Sequence, residues 1–141
     1  VNQLRLGESI VLGNETAYSQ RIEGTYEDAF LIAAEIIELR EKQSIPIGEI
    51  GVDAFGQKPT YKDRGVRKRA ILGIGRQDIN IDGIKPVDKD IIILGASSDH
   101  LIVDITDCKE LYKLGDAVKF TLTYGALMSA ATSEYVYKVI N

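Results

Sequence analysis

The run Ser97-Ser98-Asp99-His100 gathers two hydroxyls, a carboxylate and an imidazole into consecutive positions. It follows Gly95 and leads into the apolar stretch 101–103. A strand entrance of this composition exposes backbone N–H groups and serine hydroxyls, which suit a carboxylate or a phosphate. The same residues also suit a polar turn with an Asx cap. From the residues alone both readings stand. Tyr124 sits beside Gly125, after a strand pattern and before a short helical one. Its hydroxyl could reach an anion, or its ring could pack in the core with the hydroxyl at the surface.

Three further groupings have chemical types without a complete pattern. Cys108 and His100 are the types of a nucleophile and its base, but nothing in the sequence pairs them. Cys108 lies in the polar stretch 106–110 and reads as an ordinary thiol. Residues 78–83 (DINIDG) match the first half of a calcium loop. The position that should carry the bidentate glutamate is Lys89, which would repel a cation. The cluster 62–69 (KDRGVRKR) is basic, and Asp63 within it favours a solvated hairpin flank over a phosphate contact.

The elements that must position these groups are mostly strands. Residues 9–12, 66–74, 79–81, 91–94 and 101–105 are short apolar runs bounded by turn residues. Residues 118–122 alternate Val118, Phe120 and Leu122 against Lys119 and Thr121, the pattern of a half-buried strand. Residues 135–140 alternate similarly. The stretch 29–39 has no settled period, because Ala34, Ile36 and Leu39 fit neither spacing. Its β-branched isoleucines and lack of a cap favour strand. The one helical candidate is 126–131. Many short strands with regular turns predict an all-β, mostly antiparallel, barrel-like domain with one short helix.

The chain has 141 residues, enough for one domain with its own core. Hydrophobic residues make up 45% and charged residues 27%, the balance of a folded soluble chain rather than a disordered one. No apolar run is long enough for a membrane helix. One cysteine excludes an internal disulfide. A net charge of −4 counts against nucleic-acid binding. Residue 1 is valine and the only methionine is Met128, so the chain is expected to be part of a longer one.

In their order these stretches resemble the C-terminal β-domain of the alanine racemase family of pyridoxal-phosphate enzymes. That family carries Cys-Met-Asp before an apolar strand ending in Asp, matched by Ser97-Ser98-Asp99-His100-Leu101-Ile102-Val103-Asp104. Gly115-Asp116 and its following strand also match, as does Tyr124-Gly125-Ala126-Leu127 at a helix start. Leu4-Arg5-Leu6-Gly7-Glu8-Ser9-Ile10 looks like the last strand of the family's (β/α)8 barrel. The flavour is closest to a subgroup of amino-acid racemases that includes ornithine racemase.

The resemblance implies roles residue by residue. Arg5 matches the arginine facing the pyridine nitrogen, where a permanent donor keeps that nitrogen unprotonated. Tyr124 matches the tyrosine that binds the cofactor phosphate. Ser97, Ser98 and Asp99 match the segment that holds the substrate carboxylate. The family's catalytic tyrosine, in a Tyr-Gly-Arg context, falls at Phe55-Gly56-Gln57. Phenylalanine has no proton to exchange, so Asp53 is the substitute base on chemical grounds and His100 the next. Asp53 reads equally well as a turn residue.

It follows from the resemblance that residues 1–27 are the end of a cofactor barrel and its connector, and 28–141 the β-domain. The expected protein is a cytoplasmic homodimeric racemase using pyridoxal 5'-phosphate on a small amino acid. The cofactor lysine and the rest of the barrel domain lie outside this chain. No metal, nucleic acid or membrane is expected. The alternative is a non-catalytic β-barrel module that binds a small anion or a protein partner.

Overall fold

The structure, a computed structural model, describes residues 2, 3, 5–15, 17, 18, 20–45, 48, 51 and 62–140. Asp53 and the Phe55-Gly56-Gln57 stretch lie outside the described residues. Helix α1 (Glu8–Leu12) comes first, followed by strands β1 (Leu31–Gln43) and β2 (Val66–Leu72). A 3-10 turn at Ile81–Gly83 then leads into β3 (Ile84–Pro86), β4 (Ile92–Ala96), β5 (Leu101–Asp104) and β6 (Ala117–Leu122), and helix α2 (Tyr124–Thr132) closes the order.

The strands form one antiparallel six-stranded sheet in the order β3-β6-β1-β2-β5-β4. Its edge strands, β3 and β4, are joined by residues 87–91, and the curled sheet is a nearly closed barrel. The long strand β1 makes this possible. Its first part, Leu31 to Glu35, pairs with β6, and the rest pairs with β2. A bulge lies between Ile36 and Glu38, where β1 spends an extra residue against β2. Bulges bend a strand and increase its twist, so one strand serves both halves of the barrel. The bulge also explains the unsettled spacing of Ala34, Ile36 and Leu39. Two-residue alternation is re-phased at Ile37, so all three face inward.

Inward residues form one core. Phe120, Ile36, Leu72, Ile79, Leu101, Val103 and Val118 are the largest fully buried side chains. Each such side chain contributes roughly 1.5–3 kcal/mol of burial free energy. Gly115 adopts φ 88°, a left-handed geometry that favours glycine. The turn it makes docks on the bulge: Gly115 N–H donates to the Ile36 carbonyl, and Ile36 N–H to that of Asp116.

Three strand expectations are corrected. Residues 9–12 are helical, within α1. Gly13, at φ 71°, ends that helix in the left-handed conformation, and only Leu12 of the helix is buried. Its apolar residues therefore find no ladder. Residues 79–81 belong to a turn that enters the 3-10 helix, with Ile79 and Ile81 filling the core from irregular backbone. Residues 135–140 do alternate, but they join no strand among the described residues, and Tyr137 and Ile140 are almost fully exposed. Among the described residues no helix is long and apolar enough to cross a membrane.

Candidate active-site half

The Ser97–His100 run is the turn of the β4–β5 hairpin. Strand register runs to Ala96 opposite Leu101, and the Ser97 N–H donates to the His100 carbonyl at 2.9 Å. The Ser97 and Ser98 hydroxyls both donate to Asp99 Oδ1, each at 3.1 Å. Ser97 Oγ also accepts the His100 N–H. These hydroxyl bonds, Ser97 first and Ser98 second, hold the Asp99 carboxyl below its usual range despite some desolvation, and His100 adds to the effect. His100 Nδ1 lies 3.1 Å from the same carboxylate oxygen. The turn thus presents a fixed carboxylate with an imidazole against it. To bind a substrate carboxylate, the serine hydroxyls would have to turn away from Asp99.

Tyr124 opens the nine-residue helix α2, and its side chain is half exposed. Thr123 caps that helix without a side-chain hydrogen bond. The first-turn N–H groups therefore lack a side-chain cap, the arrangement that attracts an anionic oxygen. Beside Thr123 runs an open groove of about 620 Å³, walled by Glu8, Leu12, Glu27, Asp82 and Lys85 among others. The groove sets α1 alongside the approach to Tyr124. Arg5 precedes α1, is exposed, and forms no ion pair among the described residues.

Sequence reasoning missed the segment between these two groups. On one side, the Arg76 and Gln77 N–H groups donate to the Ser97 and Ser98 carbonyls, both at 2.9 Å. On the other, the Asn80 N–H donates to Ser129 Oγ of α2, and the Thr123 N–H donates to the Gly83 carbonyl. The calcium-like residues are committed to this scaffold. Buried Asp78 accepts the Ser133 hydroxyl, and Asn80 caps the 3-10 turn by accepting the Asp82 N–H. Gly75, three residues before the D-x-N-x-D-G run, and Gly83, its last residue, were the available signal, and they marked close backbone approach rather than a cation.

The other groupings resolve into structure. Arg67 pairs with Asp104 and Asp107, and Arg69 donates to the Ser44 carbonyl. Asp63 accepts from Ser44 and from the Gly65 N–H. Cys108 and His100 share no hydrogen bond among the described residues. Burial, followed by the nearby Asp88 carboxylate, pushes the Cys108 thiol up to about 12. Since only the thiolate is a good nucleophile, Cys108 should react with a disulfide reagent at pH 7.5 far more slowly than free cysteine. Reaction at the free-thiol rate would show the burial to be wrong.

An antiparallel β-domain that carries two polar corners on one scaffold defines the class structurally. No family model matches the chain. Ornithine racemase of Acetoanaerobium sticklandii is 56% identical over 138 residues, 98% of this chain. Lysine racemase of Thermotoga maritima is 48% identical over 139 residues, 99% of this chain. The chain spans 39% of the length of each of these relatives. Two solved structures share partial likeness. Alanine racemase from Bartonella henselae with covalently bound pyridoxal phosphate has a TM-score of 0.44 at 22% identity, over 71% of this chain and 28% of that one. Alanine racemase from Acinetobacter baumannii has a TM-score of 0.45 at 19% identity, over 83% and 32%. The sequence matches fit a C-terminal portion of an alanine racemase-family protein.

Proposed function

We propose that this chain is the part of a pyridoxal-phosphate amino-acid racemase that completes an active site opened by a barrel domain. Identity of 56% and 48% to ornithine and lysine racemases, along almost the whole chain, carries this reading. The substrate is then a diamino acid such as ornithine or lysine. Residues 1–27 lead from the barrel into the domain 28–141, and the protein works as a cytoplasmic homodimer.

The residues present fit the cofactor. Tyr124 and the first-turn N–H groups of α2 would hold its phosphate. Arg5 would face the ring nitrogen. Pyridoxal phosphate supplies an electron sink that acidifies the substrate Cα proton. This chain's side chains supply the half of the site described here. With Nδ1 lying 3.1 Å from Asp99 Oδ1, His100 is the candidate on this turn to carry a proton. Asp53 is the other candidate for that proton. Ser97 and Ser98 fix the Asp99 carboxylate against which the imidazole lies.

The test is a chiral assay of the full-length protein with each enantiomer of ornithine and lysine. Interconversion is expected, with no turnover by residues 1–141 alone. A full-length protein that binds the cofactor and racemises neither amino acid would reject the reading.

A further inference from the structure

We infer that residues 75–83 are a positioning brace that ties the Ser97–His100 turn to the start of α2, so that the two corners of the site move as one body. The inference rests on the racemase reading for its functional consequence, but its geometry stands alone. At one end, a Cβ on Gly75 would collide with the Ser98 carbonyl and the Asp99 nitrogen. Backbone therefore lies directly on backbone, locked by the Arg76 and Gln77 N–H bonds to the turn. Arg76 adds a side-chain bond, Nε to the Ala96 carbonyl at 3.3 Å.

At the other end, a Cβ on Gly83 would collide with Thr123 Oγ1 and crowd Ala126. Thr123 is the cap of α2, and Tyr124 is its first residue. Between the ends, Asn80 fixes the segment through both its side chain and its backbone. Asp78 reaches past α2 to Ser133, while Ile79 and Ile81 anchor the segment in the core. A segment bonded at both ends, filled in the middle and free of slack transmits displacement instead of absorbing it.

Gly75, Asn80 and Gly83 are therefore positioning residues for a site none of them touches. A disturbance at the α2 end should be felt at the hairpin end. Coupling of this kind appears as effects at a distance that independent sites would not show.

The experiment uses the full-length protein with Ser129→Ala, which removes the acceptor of the Asn80 N–H along with that hydroxyl's own bonds back to the Gly125 and Ala126 carbonyls within α2, and with Gly83→Ala. Amide hydrogen exchange is read at Arg76 and Gln77, whose N–H groups bond the distant turn. In Ser129→Ala their exchange should speed by about fivefold, the effect of losing one net hydrogen bond of about 1 kcal/mol. In Gly83→Ala it should speed further. Gly83→Ala should also raise KM for the amino acid together with the dissociation constant for pyridoxal phosphate. Unchanged exchange at Arg76 and Gln77 in Ser129→Ala overturns the brace, even if Gly83→Ala fails to fold. Tyr124→Phe separates the two readings. Unchanged cofactor affinity in that variant counts against the functional assignment, while the exchange result still decides the brace.

Discussion

Replacing His100 by glutamine in the full-length protein is expected to slow racemisation about 10²–10⁴-fold, the usual worth of a positioned proton-transfer group. Cofactor absorbance should be unchanged, because the proposed phosphate and ring-nitrogen contacts are Tyr124 and Arg5 and not His100. Racemisation requires a proton to leave one face of Cα and another to arrive at the opposite face. In the proposed racemase, a group on this domain serves one of those faces. His100 is the candidate: its Nδ1 lies 3.1 Å from Asp99 Oδ1, and the β4–β5 hairpin fixes its backbone. Glutamine keeps a polar side chain of similar reach and cannot exchange a proton. Chiral chromatography gives the rate, and incorporation of solvent deuterium at Cα shows which face is lost. If His100→Gln keeps its turnover while Asp53→Asn abolishes it, the proton belongs to Asp53.

Much of the barrel was legible because inward and outward residues alternate through most of β6, where Val118 and Phe120 are buried on either side of exposed Lys119. The interruption in β1 was legible as an irregularity, though not as a bulge, since a bulge depends on the partner strand's register. Residues 9–12 and 135–140 failed for a shared reason. Both have the composition of strands, and neither enters a ladder among the described residues. Strand propensity describes fit to a pleated surface, and without that surface the backbone settles elsewhere.

The site was legible in its parts and not in its connections. The hairpin turn and Tyr124 stood out by residue type. The segment 75–83 did not, because its contribution is backbone contact, which side-chain chemistry does not announce. The two serines illustrate the same limit. Their hydroxyls read as donors for an outside anion, yet both are committed to Asp99 one or two residues along. Local side-chain bonds of this kind compete with any ligand for the same donor.

Asp104→Asn is expected to cost about 3–5 kcal/mol at pH 7, the range for breaking a buried ion pair by removing one partner. Asp104 is only 3% exposed, and its carboxylate is fully engaged. One oxygen accepts Arg67 Nε at 2.8 Å; the other accepts the Thr106 N–H and hydroxyl. Burial alone would raise its pKa, but the Arg67 and Thr106 bonds outweigh burial and lower it. A carboxylate with a depressed folded-state pKa stabilises the fold above its unfolded value of about 3.9. That stabilisation is lost as pH falls through the lower folded value. The stability gap between wild type and Asp104→Asn, read by urea unfolding, should therefore be full at pH 7 and shrink at pH 3. A gap that stays constant across that range would mean the loss is one of packing and not of charge. Arg67 keeps Asp107 as a second partner, so the cost belongs at the low end of the range if Asp107 can follow the guanidinium. Asp107→Ala made with Asp104→Asn should then cost more than the sum of the two single changes, because only the double variant leaves Arg67, itself 13% exposed, with no carboxylate from this pair. Strand β5 runs from the Ser97–His100 turn to this ion pair, and Arg69 stands opposite Asp104 in the register. The pair fixes the far end of the strand whose near end carries His100.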